Sequence, residues 1–98
     1  MKRLYVLVRK DMKKANQAVQ AGHAVAGFVL RYPEVWFNET LIYLHVANER
    51  SLKKYFGRAK DRSYFHFAFF EPDRNFEMTA LAVFDNDEYL FRYLRLMK

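Results

Sequence analysis

Two apolar, β-forming runs, LYVLV at residues 4–8 and LIYLHVA at 41–47, stand about thirty residues apart. Between them lies one helical stretch, from about Lys13 to Tyr32. Pro33 ends it, because the residue before a proline avoids helical backbone. A tight hairpin cannot contain so long a connection. A strand, helix and strand of this size should join parallel neighbours by a right-handed crossover. The run 4–8 lacks polar alternation, so it reads as a strand buried on both faces.

The remaining chain extends this plan. Residues 33–40, PEVWFNET, form a loop holding Trp36 and Phe37, which either cover the sheet's end or line a dimer contact. Asn48 is placed to cap a short helix, ERSLKKYFGRAK, with Leu52, Tyr55 and Phe56 at helical spacing. SYFHFAFF (63–70) and MTALAVF (78–84) read as strands, and the short loop 71–77 joins them antiparallel. Asp85 with Glu88 fits a capping box, ahead of a last amphipathic helix through Leu90, Tyr93, Leu94 and Met97. The expected order is β-α-β-α-β-β-α. This is an α/β fold with a mixed four-stranded sheet and helices packed on it, one domain over residues 1–98.

The first helix, around ANQAVQAGHAVAG (15–27), carries a polar stripe. At 100° per residue Asn16, Gln20, His23 and Gly27 align, and Ala18, Val25 and Val29 lie opposite, against the sheet. Ala21, Gly22 and Ala26 admit a close backbone, from a strand or a second subunit. Asp11 caps or precedes this helix. The helix starts beside the carboxyl end of the first strand, the rim where open α/β sheets bind ligands. The stripe therefore serves either a ligand or the satisfaction of buried backbone groups.

Charge and composition narrow the partners. Net charge is +6 over 98 residues, which favours polyanions through counterion release, or else a solvated surface. There is no cysteine, so disulfides and thiolate metal sites are excluded, in keeping with a cytoplasmic setting. The N-terminal apolar run is too short to cross a membrane. His23, His45 and His66 lack metal-chelating spacing, and no metal or other cofactor is expected. Phe65, Phe67 and Phe69 alternate onto one face and read as core rather than as a base-stacking platform.

LVRKDM followed by QAVQAGHAVAG resembles the opening of the second-type peptidyl-tRNA hydrolases of archaea and eukaryotes. Arg9 and Asp11 match that family's V-R-x-D element, and Gln20, His23 and Ala24 its Q-x-x-H-A. FFEPDRNFEMTALAVF falls where the family has an Asp-x-Gly-x-Thr loop and final strand. The likeness covers about residues 3–84, and its E-P-D-x-N-x-E-x-T-A pattern is similar to a smaller bacterial and phage-like branch.

The resemblance implies a compact α/β domain, commonly a homodimer, that hydrolyses the ester joining a peptide to the 3′ end of tRNA. The alternative is a weakened or inactive relative that binds RNA or a nucleotide at the same rim. Carried across by position, the implied catalytic residues are Asp11, Asn16, Gln20, Glu71, Asp73 and Thr79. Arg9, Lys13, Lys14, His23, Arg74 and Asn75 would hold the substrate. Two departures stand out. Ala15-Asn16 replaces the family's Gly-Lys turn, so no lysine stands there, and Glu71-Pro-Asp73-Arg-Asn75 replaces Asp-x-Gly-x-Thr. Ester hydrolysis needs a positioned water, a base and an oxyanion donor. Asp11, Glu71 and Asp73 are the carboxylates available, and Asn16 and Gln20 the amides.

Overall fold

The computed structural model describes residues 1–97. Along the chain run β1 (Arg3–Arg9), α1 (Lys14–Arg31), β2 (Leu41–Val46), α2 (Glu49–Asp61) and β3 (Phe65–Glu71). A single 3-10 turn (Pro72–Arg74), β4 (Glu77–Asp85) and β5 (Arg95–Leu96) follow. The strands form one mixed sheet in the order β3-β4-β1-β2-β5. β1 and β2 are parallel, from Leu4 opposite Leu41 to Arg9 opposite Val46. The other neighbours are antiparallel.

β1 is central, with a helix on each face. Leu4, Val6 and Val8 pack in one cluster with Ala21, Ala24 and Phe28 of α1, and with Ala80 and Ala82 of β4. Tyr5 and Leu7 pack in a second cluster with Leu52, Tyr55 and Ala59 of α2. Two covered faces are why residues 4–8 carry no polar alternation. Asn48 caps α2 by accepting from the Ser51 N–H at 3.0 Å. No helix among the described residues is long and apolar enough to cross a membrane.

The sheet has five strands rather than four, and the expected last helix is absent. Residues 88–93 form turns instead. Asp87 accepts the Leu90 N–H at 2.9 Å and the Tyr64 hydroxyl at 2.9 Å, and Glu88 is drawn to Arg3 at 2.9 Å rather than into a capping box. The turns bury the adjacent Leu90 and Phe91, with Phe91 against the Tyr5 ring at 4.6 Å. A helical stripe would have buried Tyr93, which is 79% exposed. The chain then returns to the free edge of β2, where Leu96 and Arg95 pair with Leu44 and His45 as β5.

The rotation of α1 also differs from expectation. Its buried residues are Gln17, Gln20, Ala21, Ala24 and Phe28. Ala18, Gly22, Ala26 and Val29 are exposed, and Val25 is half-buried. Phe28 sets the phase, since one buried phenyl ring outweighs two partly covered valines. Close approach is granted by Gly27, not Gly22: a Cβ at Gly27 would overlap the Phe67 ring, whereas one at Gly22 would meet nothing. Phe67 and Phe69 join the α1-side core, while Phe65 is half-exposed beside Tyr32. Trp36 packs against the same core and donates to the Thr40 carbonyl at 3.0 Å, whereas Phe37 is exposed.

Candidate functional site

The site is built where β1 and β3 end and β4 begins. Pairing of β3 with β4 jumps there: Phe69 opposes Ala80, Phe70 opposes Met78, and Thr79 has no partner. An extra residue of this kind is a bulge, which re-aims side chains. Met78 faces the α2-side core and Ala80 the α1-side core, with Thr79 between them fully buried.

The Thr79 hydroxyl donates to Gln20 Oε1 at 2.6 Å, and Gln20 Nε2 donates to Glu71 Oε1 at 2.9 Å. The two bonds fix which end of the amide is which. Gln20 is 4% exposed, so leaving either end unpaired would be costly. The Glu71 backbone is held as well, since its carbonyl accepts the Phe76 N–H at 2.9 Å across the turn. In that turn Asn75 (φ 53°) and Phe76 (φ 59°) are left-handed. Asparagine tolerates this conformation, but a bulky phenylalanine is strained in it.

Beside this chain stands Arg9, 6% exposed. It donates from Nε and Nη2 to the two Asp11 oxygens, each at 2.9 Å. Its Nη1 donates to Glu77 Oε1 at 2.7 Å and to the Met78 carbonyl at 3.2 Å. Hydrogen bonding to Arg9 holds the carboxyls of Asp11 and Glu77 below their ordinary range. Bonding to Asp11 in turn raises the guanidinium above its ordinary value. Both acids are therefore poor bases near neutral pH. Glu77 opposes Glu71 across the ladder, and Arg74 Nε lies 3.6 Å from Glu77 Oε1. Arg9 and Arg74 thus offset the carboxylate beside Glu71.

Of the residues singled out in the sequence, the structure brings together Arg9 and Asp11, and Gln20, Glu71 and Thr79, with Arg74 in the intervening turn. Asn16 is exposed and makes no side-chain hydrogen bond among the described residues. Asp11 precedes α1 without capping it, and Lys13 stands at the cap position with no side-chain bond. Lys14, Asp73 and Asn75 are exposed. His23 stacks on Phe69 with centroids 4.4 Å apart. His66 meets the Phe56 ring edge-on.

Two partners escaped the sequence reading. Gln17 is buried and donates to the Met12 carbonyl at 2.7 Å, while its oxygen receives His45 Nε2. The i, i+3, i+4, i+7, i+11 spacing of Gln17, Gln20, Ala21, Ala24 and Phe28 carried that signal. Glu77 had none, because its bond to Arg9 spans 68 positions.

No family model and no curated protein matches the chain. Among solved structures, a protein of unknown function from Agrobacterium tumefaciens strain C58 is similar, with a TM-score of 0.79 at 11% identity. The likeness spans 99% of this chain and 98% of that one, and at that identity it speaks to fold alone.

Proposed function

We propose that this protein is a peptidyl-tRNA hydrolase-like enzyme of the second type, acting in the cytoplasm on the ester between a peptide and the 3′ end of tRNA, with Glu71 as its base. The observation that carries this reading is the Thr79–Gln20–Glu71 chain of hydrogen bonds at the rim of the sheet. A hydroxyl fixes an amide, the amide fixes a carboxylate, and the other carboxylate oxygen is left for a water. The resemblance in Arg9, Asp11, Gln20 and His23 points the same way.

In this mechanism Glu71 takes a proton from water as the water oxygen attacks the ester carbonyl carbon. The second N–H of Gln20 and the charge of Arg74 would receive the developing oxyanion. As the tetrahedral species collapses, the bond to the ribose oxygen breaks and Glu71 returns the proton to it. Asp11, tied to Arg9 by both oxygens, braces the rim and takes no proton. The basic surface, with Lys13 and Lys14 at the start of α1, would hold the tRNA backbone. Val19, Val29 and Leu30, exposed on α1, suit a second copy of the chain.

A second reading is favoured by Asn16, which stands where a lysine was expected and makes no contact in the cluster. Without that charge the same rim would bind RNA or a nucleotide without cleaving it. Peptide release from a peptidyl-tRNA mimic, measured beside tRNA binding, separates the two. The enzyme releases peptide and Glu71→Gln does not, at equal affinity. The binder retains tRNA and releases nothing.

A further inference from the structure

At the end of β2, beside the start of α2, lies a cavity of about 400 Å³, bounded by Lys10, His45, Ser51, Lys54, Tyr93 and Arg95. Its position follows from the fold. Lys10 leaves β1, His45 is on β2, Ser51 and Lys54 belong to the first turns of α2, and β5 brings Arg95 across to close it. Three cationic residues thus line one concavity, and none of them forms an ion pair among the described residues. The acids nearby are committed elsewhere. Glu49 accepts the Met78 N–H at 2.8 Å and faces Lys53 at 3.6 Å, and Asp11 is held by Arg9. No side-chain carboxylate of the described residues lines the cavity. Like charges gathered without a counterion repel one another, and an anion entering the cavity relieves that repulsion.

We propose that this cavity binds the phosphate of a nucleotide unit, at a site separate from the Glu71 cluster. Lys10, Lys54 and Arg95 take the phosphate, with Arg95 able to offer a forked pair of donors. The Ser51 hydroxyl and the positive end of α2 add to the same field. The cavity is in the size range of small-molecule pockets and larger than a phosphate needs. Tyr55, Tyr93, Leu94 and Leu96 supply an apolar wall for the remainder, as a nucleobase requires. His45 is fixed by Gln17, whose amide also donates to the Met12 carbonyl. The proposal does not rest on ester hydrolysis, and a protein without turnover would still carry the site.

Titration of the full chain with adenosine monophosphate, followed by NMR at the His45 ring and the Ser51 and Arg95 amides, tests it. Saturable shifts at all three are expected, with adenosine binding much more weakly because it lacks the phosphate. Lys54→Ala and Arg95→Ala should each weaken binding by about tenfold, as loss of one charge-assisted bond does, while Glu71→Gln leaves it unchanged. A single-stranded oligonucleotide with a terminal phosphate, compared with the same strand without it, identifies the source. Tighter binding of the phosphorylated strand marks an RNA end as the ligand, and tighter binding of the mononucleotide marks a free nucleotide. Shifts confined to the Glu71 cluster, equal shifts from adenosine, or undiminished binding in both cation variants would overturn the proposal.

Discussion

Gln20 Nε2 donates to Glu71 Oε1 at 2.9 Å, tying the buried face of α1 to the end of β3 across 51 positions. The amide is held in that orientation by the Thr79 hydroxyl at its other end. Thr79→Val keeps the shape but leaves the buried Gln20 oxygen without a donor, a loss of about 1–3 kcal/mol. Chemical denaturation should show that loss, and Thr79→Ser should restore most of it. If Glu71 is the base, turnover should fall further than stability explains in Thr79→Val and return in Thr79→Ser.

Gly27 and Gly22 should respond in opposite directions to the same change. A methyl at Gly27 overlaps the Phe67 ring, and overpacking of this kind costs about 1–3 kcal/mol. Gly22 has open space around it in mid-helix, so Gly22→Ala should stabilise by roughly 0.5–1 kcal/mol. Thermal melts of the two variants check both signs.

The Arg9 cluster predicts a pH dependence. Bonding to Arg9 depresses the folded-state values of Asp11 and Glu77 below their ordinary 3.8 and 4.5. Depressed carboxyls contribute stability that is present above the unfolded values and is lost as pH falls through the folded ones. The double variant Asp11→Asn, Glu77→Gln should therefore melt below the wild type at neutral pH. The gap should close as pH falls below the ordinary values and through the depressed folded ones. A gap that stays constant over that range would show that the cluster is not coupled to protonation.

Much of the fold could be read from the residues because each reading rested on local physics. The spacing of residues 4–8 and 41–47 required a crossover, and β1 and β2 are parallel. Asn48 capped its helix and the loop 71–77 joined antiparallel strands. Residues 86–97 misled because their helical spacing was real, but Asp87 and Glu88 found tertiary partners in Tyr64 and Arg3. A stripe through Asn16 and His23 lies one position away from the buried Gln17–Gln20–Phe28 face, because the bulk of Phe28 sets the phase of the helix. Gln20 stands out in the sequence as part of the polar stripe, and Glu71 and Thr79 through the resemblance. Their junction depends on a bulge that leaves no local mark in the sequence.

If the rim and α1 hold tRNA, affinity should fall steeply with salt. The log–log slope is about −0.9 per phosphate on duplex and roughly −0.7 on single strands. Lys13→Ala and Lys14→Ala should each flatten it by about one phosphate's worth. Binding that is indifferent to salt, or to both substitutions, would place the contact surface elsewhere.

Asn16→Lys asks whether the missing lysine limits the rate. Its position on the first turn of α1, next to the cap at Lys13, would bring a positive charge back toward the rim. Peptide release faster than wild type is expected, and an unchanged rate would show that the exposed side chain does not reach the reacting ester.

The most direct measurement is single-turnover peptide release from a peptidyl-tRNA mimic, with enzyme saturating, for wild type and Glu71→Gln. The account predicts measurable release by the wild type and a loss of about 10²–10⁴-fold in Glu71→Gln, with tRNA affinity nearly unchanged because the interaction belongs to the transition state. Equal rates in the two proteins would remove Glu71 from the chemistry. Release by neither, with tRNA still bound, would contradict the hydrolase and leave a binding protein in its place.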